Sequence, residues 1–146
     1  MIRLARAEDL PELARIHALC FVKAWDAKAL GELLESAGII ALFATHGFVL
    51  ARVAADEAEI LTVAVEPAAR RRGLARALLG EAALRAASRG AATMFLEVGA
   101  ANRAGRALYG ALGFSQAGSR KSYYEHGEDA LILKRDLPLA PRGIGG

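Results

Sequence analysis

The chain of 146 residues is long enough for one domain with a buried core, and 54% hydrophobic and 24% charged residues are ordinary for a globular protein. Its net charge of +3 and pI of about 9.4 suit an anionic cofactor or a ribonucleoprotein partner without requiring nucleic acid. A single cysteine, Cys20, excludes an internal disulfide and indicates a reducing compartment. The N-terminus is charged too early for a signal peptide and no apolar run reaches membrane-spanning length, so we expect a cytoplasmic protein without membrane contact.

Hydrophobic periodicity and turn residues predict the order strand, two helices, three strands, helix, strand, helix and two strands. The predicted strands are residues 2–6, 38–44, 48–54, 60–65, 93–98, 114–124 and 130–135. The predicted helices are residues 9–21, 26–36, 74–88 and 102–112, and Asp26 and Asn102 are suited to be N-caps of two of them. This order predicts an α/β fold with a mixed sheet and helices on both faces, in one domain at 1–136 with a flexible tail at 137–146.

The segment between the predicted strand at 60–65 and the predicted helix at 74–88 is the first candidate for a functional site. Pro67 ends the strand, and three consecutive arginines and Gly73 precede a run of strong helix formers. Helix N-termini carry unpaired N–H groups and partial positive charge, and glycine allows a ligand to approach the backbone closely. The loop is therefore either a phosphate cradle or an ordinary strand-to-helix turn with solvated arginines.

A resemblance supports the cradle. The pattern Arg70-x-x-Gly73-x-Ala75 after a buried strand is similar to the Q/R-x-x-G-x-G/A signature of the GNAT superfamily of N-acetyltransferases. The resemblance implies a sheet that splays open beside the central strand and a loop that grips the pyrophosphate of acetyl-CoA. This resemblance and the closer one described below together imply the cofactor-binding residues Val63, Ala64, Val65, Arg70, Arg71, Arg72, Gly73, Leu74, Ala75, Arg76 and Asn102.

Acetyl transfer to an amine needs a proton acceptor for the amine and a proton donor for the leaving thiolate. Glu97, near the end of a predicted strand, is a candidate base, but the residue pattern alone favours a solvated carboxylate. Tyr109 on the last predicted helix is a candidate acid, and by spacing alone it would be a core aromatic residue. Neither His17 nor His46 has a partner at metal-ligand spacing, so we predict no metal.

A second resemblance assigns these roles more closely. The stretch LEVGAANRAGRALYGALGF is similar to the L-E-V-R-x-x-N-x-x-A-x-x-L-Y-x-x-L-G-F stretch of the RimI-type ribosomal-protein-alanine N-acetyltransferases of bacteria. It implies that Glu97 is the proton acceptor and Tyr109 the proton donor. Trp25, Arg120, Tyr123 and Tyr124 match segments that border the acceptor channel in that family. The departures are Gly99 in place of arginine, Gly105 in place of alanine, Thr62 in place of asparagine, and Val22 and Ala24 in place of prolines.

Three functions follow from these observations. The first is transfer of acetyl from acetyl-CoA to the N-terminal alanine of a small-subunit ribosomal protein, by a monomer that needs no metal and contacts no nucleic acid directly. The second keeps the enzyme but changes the acceptor to other protein N-termini, a lysine or a small amine, because Gly99 and the Val22–Ala24 departures alter the acceptor side. The third is a non-catalytic acetyl-CoA sensor or RNA-binding module that uses the arginine run.

Overall fold

A single mixed sheet organises the structure, which is a computed structural model that describes residues 1–124 and 126–137. Within these residues seven strands lie in the order β1–β2–β3–β4–β5–β7–β6. Their bounds are β1 Arg3–Leu4, β2 Ile39–Ala44, β3 Gly47–Ala54, β4 Glu57–Val65, β5 Thr93–Gly99, β6 Ser115–Arg120 and β7 Ala130–Asp136. All neighbouring pairs of these strands are antiparallel except β4 and β5, which are parallel. The predicted order of elements and the mixed sheet are therefore confirmed.

The described part of the chain also contains four α-helices and two short 3-10 turns. The helices are α1 Leu10–Cys20, α2 Ala27–Leu34, α3 Leu74–Ser88 and α4 Arg103–Ala111, and the 3-10 turns are Ala7–Asp9 and Pro67–Ala69. Asp26 caps α2 by accepting a hydrogen bond from the Ala29 N–H at 2.9 Å, as predicted. None of the described helices is long and apolar enough to cross a membrane. The tail from Pro138, for which we predicted flexibility, lies outside the described residues, as does residue 125.

Three predicted boundaries were wrong for local reasons. The first strand is two residues long. The strand predicted at 60–65 begins at Glu57, three residues earlier, because the backbone already turns at Ala55, where φ is +54°. The predicted strand at 114–124 ends at Arg120, and the left-handed conformation of Ser122, with φ of +49°, is incompatible with a continued strand.

Helices cover both faces of the sheet, as predicted, and each face has its own core. Under α3, the alanines Ala82, Ala83 and Ala86 are buried, and their small side chains allow the helix backbone to lie close to the strands. On the opposite face, α1 and α2 bury Leu13, Ile16 and Leu30 against Phe48 and Leu50 of β3. The sheet is thus held between two apolar layers near β2, β3 and β4.

A bulge in β4 controls which of its side chains face each layer. Leu50 of β3 lies opposite Thr62, whereas the next residue, Ala51, lies opposite Ile60, so that β4 carries one extra residue at this point. The extra residue shifts the alternation, and therefore Ile60, Val63 and Val65 all contribute to the α3-side core. Val63 and Val65 share this face because the bulge precedes both.

Candidate active site

The central strands separate at their C-terminal ends. β4 and β5 are paired only from Glu57 to Glu59 and from Thr93 to Phe95, although both strands continue beyond these residues. β5 stays paired with β7 along its whole length, and β4 with β3, so the opening lies between two otherwise intact halves of the sheet. The expected splay beside the central strand is confirmed. It leaves main-chain N–H and C=O groups of β4 directed into a gap.

The predicted anion loop lies directly after the splayed end of β4. Gly73 is the N-cap of α3 and has φ of +80°, a conformation that favours glycine, and a Cβ built there would meet no atom within 4 Å. No side chain caps the first turn of α3, so the N–H groups of its first residues are available to a ligand. The exposed side chains of Arg71, Arg72 and Arg76 add positive charge around these groups. This arrangement fits a pyrophosphate.

Arg70 has a different contact from its neighbours in the loop. Its Nε donates a hydrogen bond to the Val65 carbonyl at 3.0 Å, and the Cys20 thiol donates to the same oxygen at 3.3 Å. The last residue of β4 is therefore held by two side chains, one from α1, which precedes it in the chain, and one from the anion loop, which follows it. The Nε of Arg70 thus ties the loop to the end of β4.

The helix α4 carries two of the candidates. The Asn102 carboxamide oxygen accepts the Gly105 N–H at 2.8 Å, so the predicted N-cap is confirmed. Tyr109 packs against the α3-side core with its ring edge on Phe114, at a centroid distance of 6.1 Å. Burial raises the pKa of the Tyr109 phenol. No described buried side-chain polar atom lacks a partner, and no hydrogen bond of this hydroxyl to another described residue is present, so the hydroxyl has access to solvent.

Glu97 lies on the opposite face of β5 from this core. Its neighbours Leu96 and Val98 are buried under α3, and alternation directs the Glu97 side chain to the face that carries α1 and α2. The carboxylate is 3.7 Å from Nη1 of Arg120, and both side chains are partly exposed. Glu97 thus lies on the face of β5 opposite to the α3-side core, whereas Tyr109 of α4 packs against that core.

Three of the predicted acceptor residues form one group beside Glu97. The Arg120 guanidinium lies 5.1 Å above the Tyr123 ring, and Tyr123 contacts Tyr124 edge to face at 5.4 Å. The pKa of the Tyr124 phenol is raised, first by burial and then by the negative charges of Glu97 and Glu128. Trp25, the fourth predicted residue, lies in a different group, stacked on His17 with ring centroids 4.9 Å apart.

An open groove extends from Glu97 along the sheet face that α1 and α2 leave uncovered. Phe95 and Ile132 contribute apolar surface, and Glu57, Glu59 and Arg52 line its far part. The groove gives a bulky acceptor direct access to the Glu97 carboxylate. Such access agrees with a macromolecular acceptor better than with an enclosed small-molecule site.

The sequence did not predict the contacts of Glu128, which bonds to the backbone just after β5. Glu128 accepts the Ala101 N–H at 2.7 Å, and His126 at 2.7 Å lowers the pKa of this carboxyl group, with the Ala101 N–H as a second cause. A Cβ at Gly99 would lie 2.4 Å from the Glu128 carboxylate. Gly99 therefore leaves the space that Glu128 fills. The departure from arginine at this position was the available signal, but the residue that fills the space is 29 positions later in the chain.

The site and the splayed sheet define a class of protein. Residues 5–114 match the model of the Acetyltransferase (GNAT) family, which is more than half of the chain. The chain belongs to this family and is an acyltransferase, which confirms the resemblance inferred from the anion loop.

Two relatives of known name and one solved structure are similar to this chain. The [ribosomal protein bS18]-alanine N-acetyltransferase of Salmonella typhimurium is 34% identical over 146 aligned residues, which cover 95% of this chain and 97% of the relative. The Escherichia coli K12 protein of the same name is 43% identical over 96 residues, or 64% of each chain. The crystal structure of the ribosomal-protein-S18-alanine N-acetyltransferase from Escherichia coli superposes with a TM-score of 0.85 and 32% identity, covering 99% of this chain and 97% of that one.

Proposed function

We propose that this protein transfers the acetyl group of acetyl-CoA to the N-terminal alanine of a small-subunit ribosomal protein. The observation that carries the proposal is the gap between β4 and β5, with the anion loop directly after β4, Glu97 on β5 and Tyr109 on α4, the helix that follows β5. The names of the relatives that align over most of this chain support the same acceptor. We infer the cytoplasm as the compartment, because ribosomal proteins are modified there.

Acetyl-CoA supplies an activated acetyl thioester when it is bound. The uncapped N–H groups at residues 74–76 and the arginines beside them would hold its pyrophosphate, because both supply positive charge at a point with free space. Among Val63, Ala64 and Val65, the main-chain groups that point away from β3 would hydrogen bond in the gap in place of the missing strand partner. Asn102, which caps α4 beside the gap, would contact the cofactor as the resemblance implies.

Two side chains would move protons. Glu97 accepts the proton that the amine must lose, directly or through one water, and an α-amino group with a pKa of about 7.7–8.0 loses it readily near neutral pH. Tyr109 donates its phenolic proton to the leaving thiolate, and burial raises its pKa, so that the phenol remains protonated at neutral pH. An ammonium acceptor loses two protons in all: Glu97 takes the one that makes the amine neutral and passes it to solvent, and the one released when the amide bond forms restores the Tyr109 phenol that protonated the thiolate.

The acceptor is bound on the Glu97 face. Arg120, Tyr123 and Tyr124 form one wall of its site, and the exposed segment that ends at Trp25 forms the other. The Arg120 guanidinium holds the Glu97 carboxylate in the absence of an acceptor, and an incoming ammonium group competes for the same carboxylate.

The identity of the acceptor is tested by offering the protein a panel of hexapeptides and small amines together with acetyl-CoA. We expect the purified protein to acetylate peptides that begin with alanine, with mass spectrometry placing the acetyl group on the α-amine. Preference for a lysine side chain or a polyamine would replace the ribosomal acceptor by the second function considered above. Tight RNA binding without transfer to any acceptor would favour the non-catalytic interpretation.

The proton-transfer roles are tested with Glu97→Gln and Tyr109→Phe. Each variant should lower kcat by about 10²–10⁴-fold, because each removes one general acid–base group, while the Kd of acetyl-CoA stays close to that of the wild type. Glu81→Gln is the matched control, since Glu81 forms a comparably exposed pair with Arg85 at 3.1 Å on α3. Wild-type kcat in either active-site variant would overturn the corresponding role.

A further inference from the structure

His17 is buried on the acceptor side of the sheet and has no role in the proton transfers proposed above. Only 3% of its surface is exposed, and its ring lies between those of Phe21 and Trp25 at centroid distances of 4.3 and 4.9 Å. Both of its nitrogens have partners. Nδ1 accepts the Trp25 backbone N–H at 3.0 Å, and Nε2 lies 3.3 Å from Oγ1 of Thr62.

These contacts define the protonation state of the ring. Because a backbone N–H donates to Nδ1, this nitrogen carries no proton, and the proton of the neutral ring is on Nε2, which donates to the Thr62 hydroxyl. A second proton on Nδ1 would face the Trp25 N–H directly. The doubly protonated ring is therefore incompatible with the observed position of Trp25.

The two partners of His17 belong to parts of the site that no other described hydrogen bond joins to each other. Trp25 ends segment 21–25, in which residues 21–23 are exposed and which the proposed function places beside the acceptor. Thr62 lies in the bulge of β4, next to the point at which β4 and β5 separate. Phe21 and Val22 present apolar side chains to solvent, whereas Trp25 packs against the core beside the ring of His17.

We propose that His17 is a positioning residue that ties segment 21–25 to the bulge of β4 and thereby sets the affinity for the amine acceptor. The acceptor role of the segment rests on the proposed function, whereas the tie itself rests on the contacts of His17. Acetyl-CoA binds at the anion loop and in the gap, so its affinity does not depend on the tie.

The surroundings of His17 make the tie sensitive to acid. The rings of Phe21, Trp25 and Phe48 and the Thr62 hydroxyl face it, and none of these groups carries a charge. On its own helix, the Cys20 thiol donates to the Val65 carbonyl instead. Burial lowers the pKa of His17, so the tie is intact at neutral pH and is lost as the pH falls below the ordinary histidine value of about 6.5 and through the lowered one.

Steady-state kinetics test the effect on the acceptor. His17→Ala should raise the acceptor KM by about tenfold or more and leave the acetyl-CoA KM within about twofold, because one buried hydrogen-bonding partner of segment 21–25 is lost. His17→Asn should restore part of the acceptor affinity, since its carboxamide oxygen can accept the Trp25 N–H. An unchanged acceptor KM in His17→Ala, or an equal rise of both KM values, would overturn the proposal.

Trp25 supplies a readout that needs no acceptor, because it is the sole tryptophan of the chain. A protonated imidazole stacked on an indole quenches its fluorescence, so the emission of the intact protein should change with an apparent pKa below about 6.5. The transition should disappear in His17→Asn and persist in His46→Asn, which removes another histidine at a left-handed turn position that asparagine tolerates. A transition that persists in His17→Asn would refute the tie.

The two experiments separate this inference from the proposed function. If the wild type prefers a different amine, the KM comparison is made with that amine, and the acceptor assignment fails while the tie is still tested. Thr62→Val serves as a second variant in case His17→Ala does not fold, because it removes the Nε2 partner without opening a large cavity. It should raise the acceptor KM selectively, and an unaltered acceptor KM would count against the proposal.

Discussion

Gly73 shows how one residue serves both the backbone and a ligand. Its φ of +80° would strain any side chain, but a Cβ would meet no atom of the described protein within 4 Å. The space beside it is therefore open although the backbone around it is tightly turned, with Arg71 also left-handed at φ of +67°. Glycine is required here by conformation, and the open space is what a bound pyrophosphate would use.

Replacing Gly73 by alanine should weaken acetyl-CoA binding beyond its effect on folding. The left-handed conformation costs a non-glycine residue about 1–2 kcal/mol, and the new methyl group enters the space assigned to the pyrophosphate, which should raise the Kd about tenfold. Gly90→Ala is the matched control at the other end of α3, because Gly90 has φ of +95° and equally free surroundings. Calorimetric titration and thermal unfolding measure the two effects separately, and equal acetyl-CoA affinities in both variants would argue against the cradle.

Single residues were predictable where their role is local. Asp26 and Asn102 were identified as N-caps because a cap depends on the three residues that follow it, and both caps are observed. The pairing of His17 with Thr62 joins positions 45 residues apart, and no pattern near either residue indicates it. The roles of Glu97 and Tyr109 as base and acid stay predictions that the variants above will test.

At the scale of elements, α4 links the stability of a helix to a proposed cofactor contact. Asn102→Ala should lower the free energy of unfolding by about 1 kcal/mol, because the Gly105 N–H loses its acceptor. It should also raise the Kd of acetyl-CoA if the carboxamide contacts the cofactor. Asp26→Ala removes the N-cap of α2, whose hydrogen bond of 2.9 Å is nearly as long as that of Asn102. It should lower the free energy of unfolding by a similar amount and leave acetyl-CoA binding unchanged.

Denaturant unfolding and calorimetric titration provide these two quantities for both cap variants. Equal acetyl-CoA affinity in the Asn102 and Asp26 variants would restrict Asn102 to its role as a cap. A loss of affinity in both variants would instead indicate a general loosening of the fold.

The elements themselves were largely predictable, but their irregularities were not. The apolar run before Pro67 indicates a strand, and the Leu–Ala–Arg run after Gly73 indicates α3. The bulge opposite Leu50 and the separation of β4 from β5 depend on how one strand fits its neighbours, which periodicity along a single strand does not contain. The splay entered the prediction only through the resemblance carried by the anion loop.

At the scale of the whole molecule, the N-terminal edge of the sheet is held by charge. The carboxylate of Asp9 receives two hydrogen bonds of 2.8 Å from Arg3 and one of 2.7 Å from the Arg6 N–H. These bonds, with the side-chain contact to Arg3 as the largest cause, lower the pKa of Asp9 to about 2. A lowered carboxyl pKa means that stability present at neutral pH is lost as the pH falls below the ordinary value of about 3.9 towards 2.

Asp9→Asn should therefore lower the free energy of unfolding at pH 7 by about 1–2 kcal/mol, since hydrogen bonds to a charged partner are lost. The difference from the wild type should shrink as the pH approaches 2, where the wild-type carboxyl group is itself protonated. Urea titrations at several pH values measure this, with the exposed turn residue Asp56 replaced by asparagine as the control. A difference that does not vary with pH would show that the charge of Asp9 is not the cause.

The separation of β4 from β5 has a consequence for isotope exchange. After the bulge, successive amides of β4 point alternately towards β3 and into the gap, so every second proton in this part of the strand lacks the shielding of a neighbouring strand. In deuterated buffer, residues 62–65 should then show an alternating fast and slow pattern by nuclear magnetic resonance. A molecule bound between the two strands would slow exchange of the fast amides alone. The exchange rates of β4 would therefore show whether the gap is occupied.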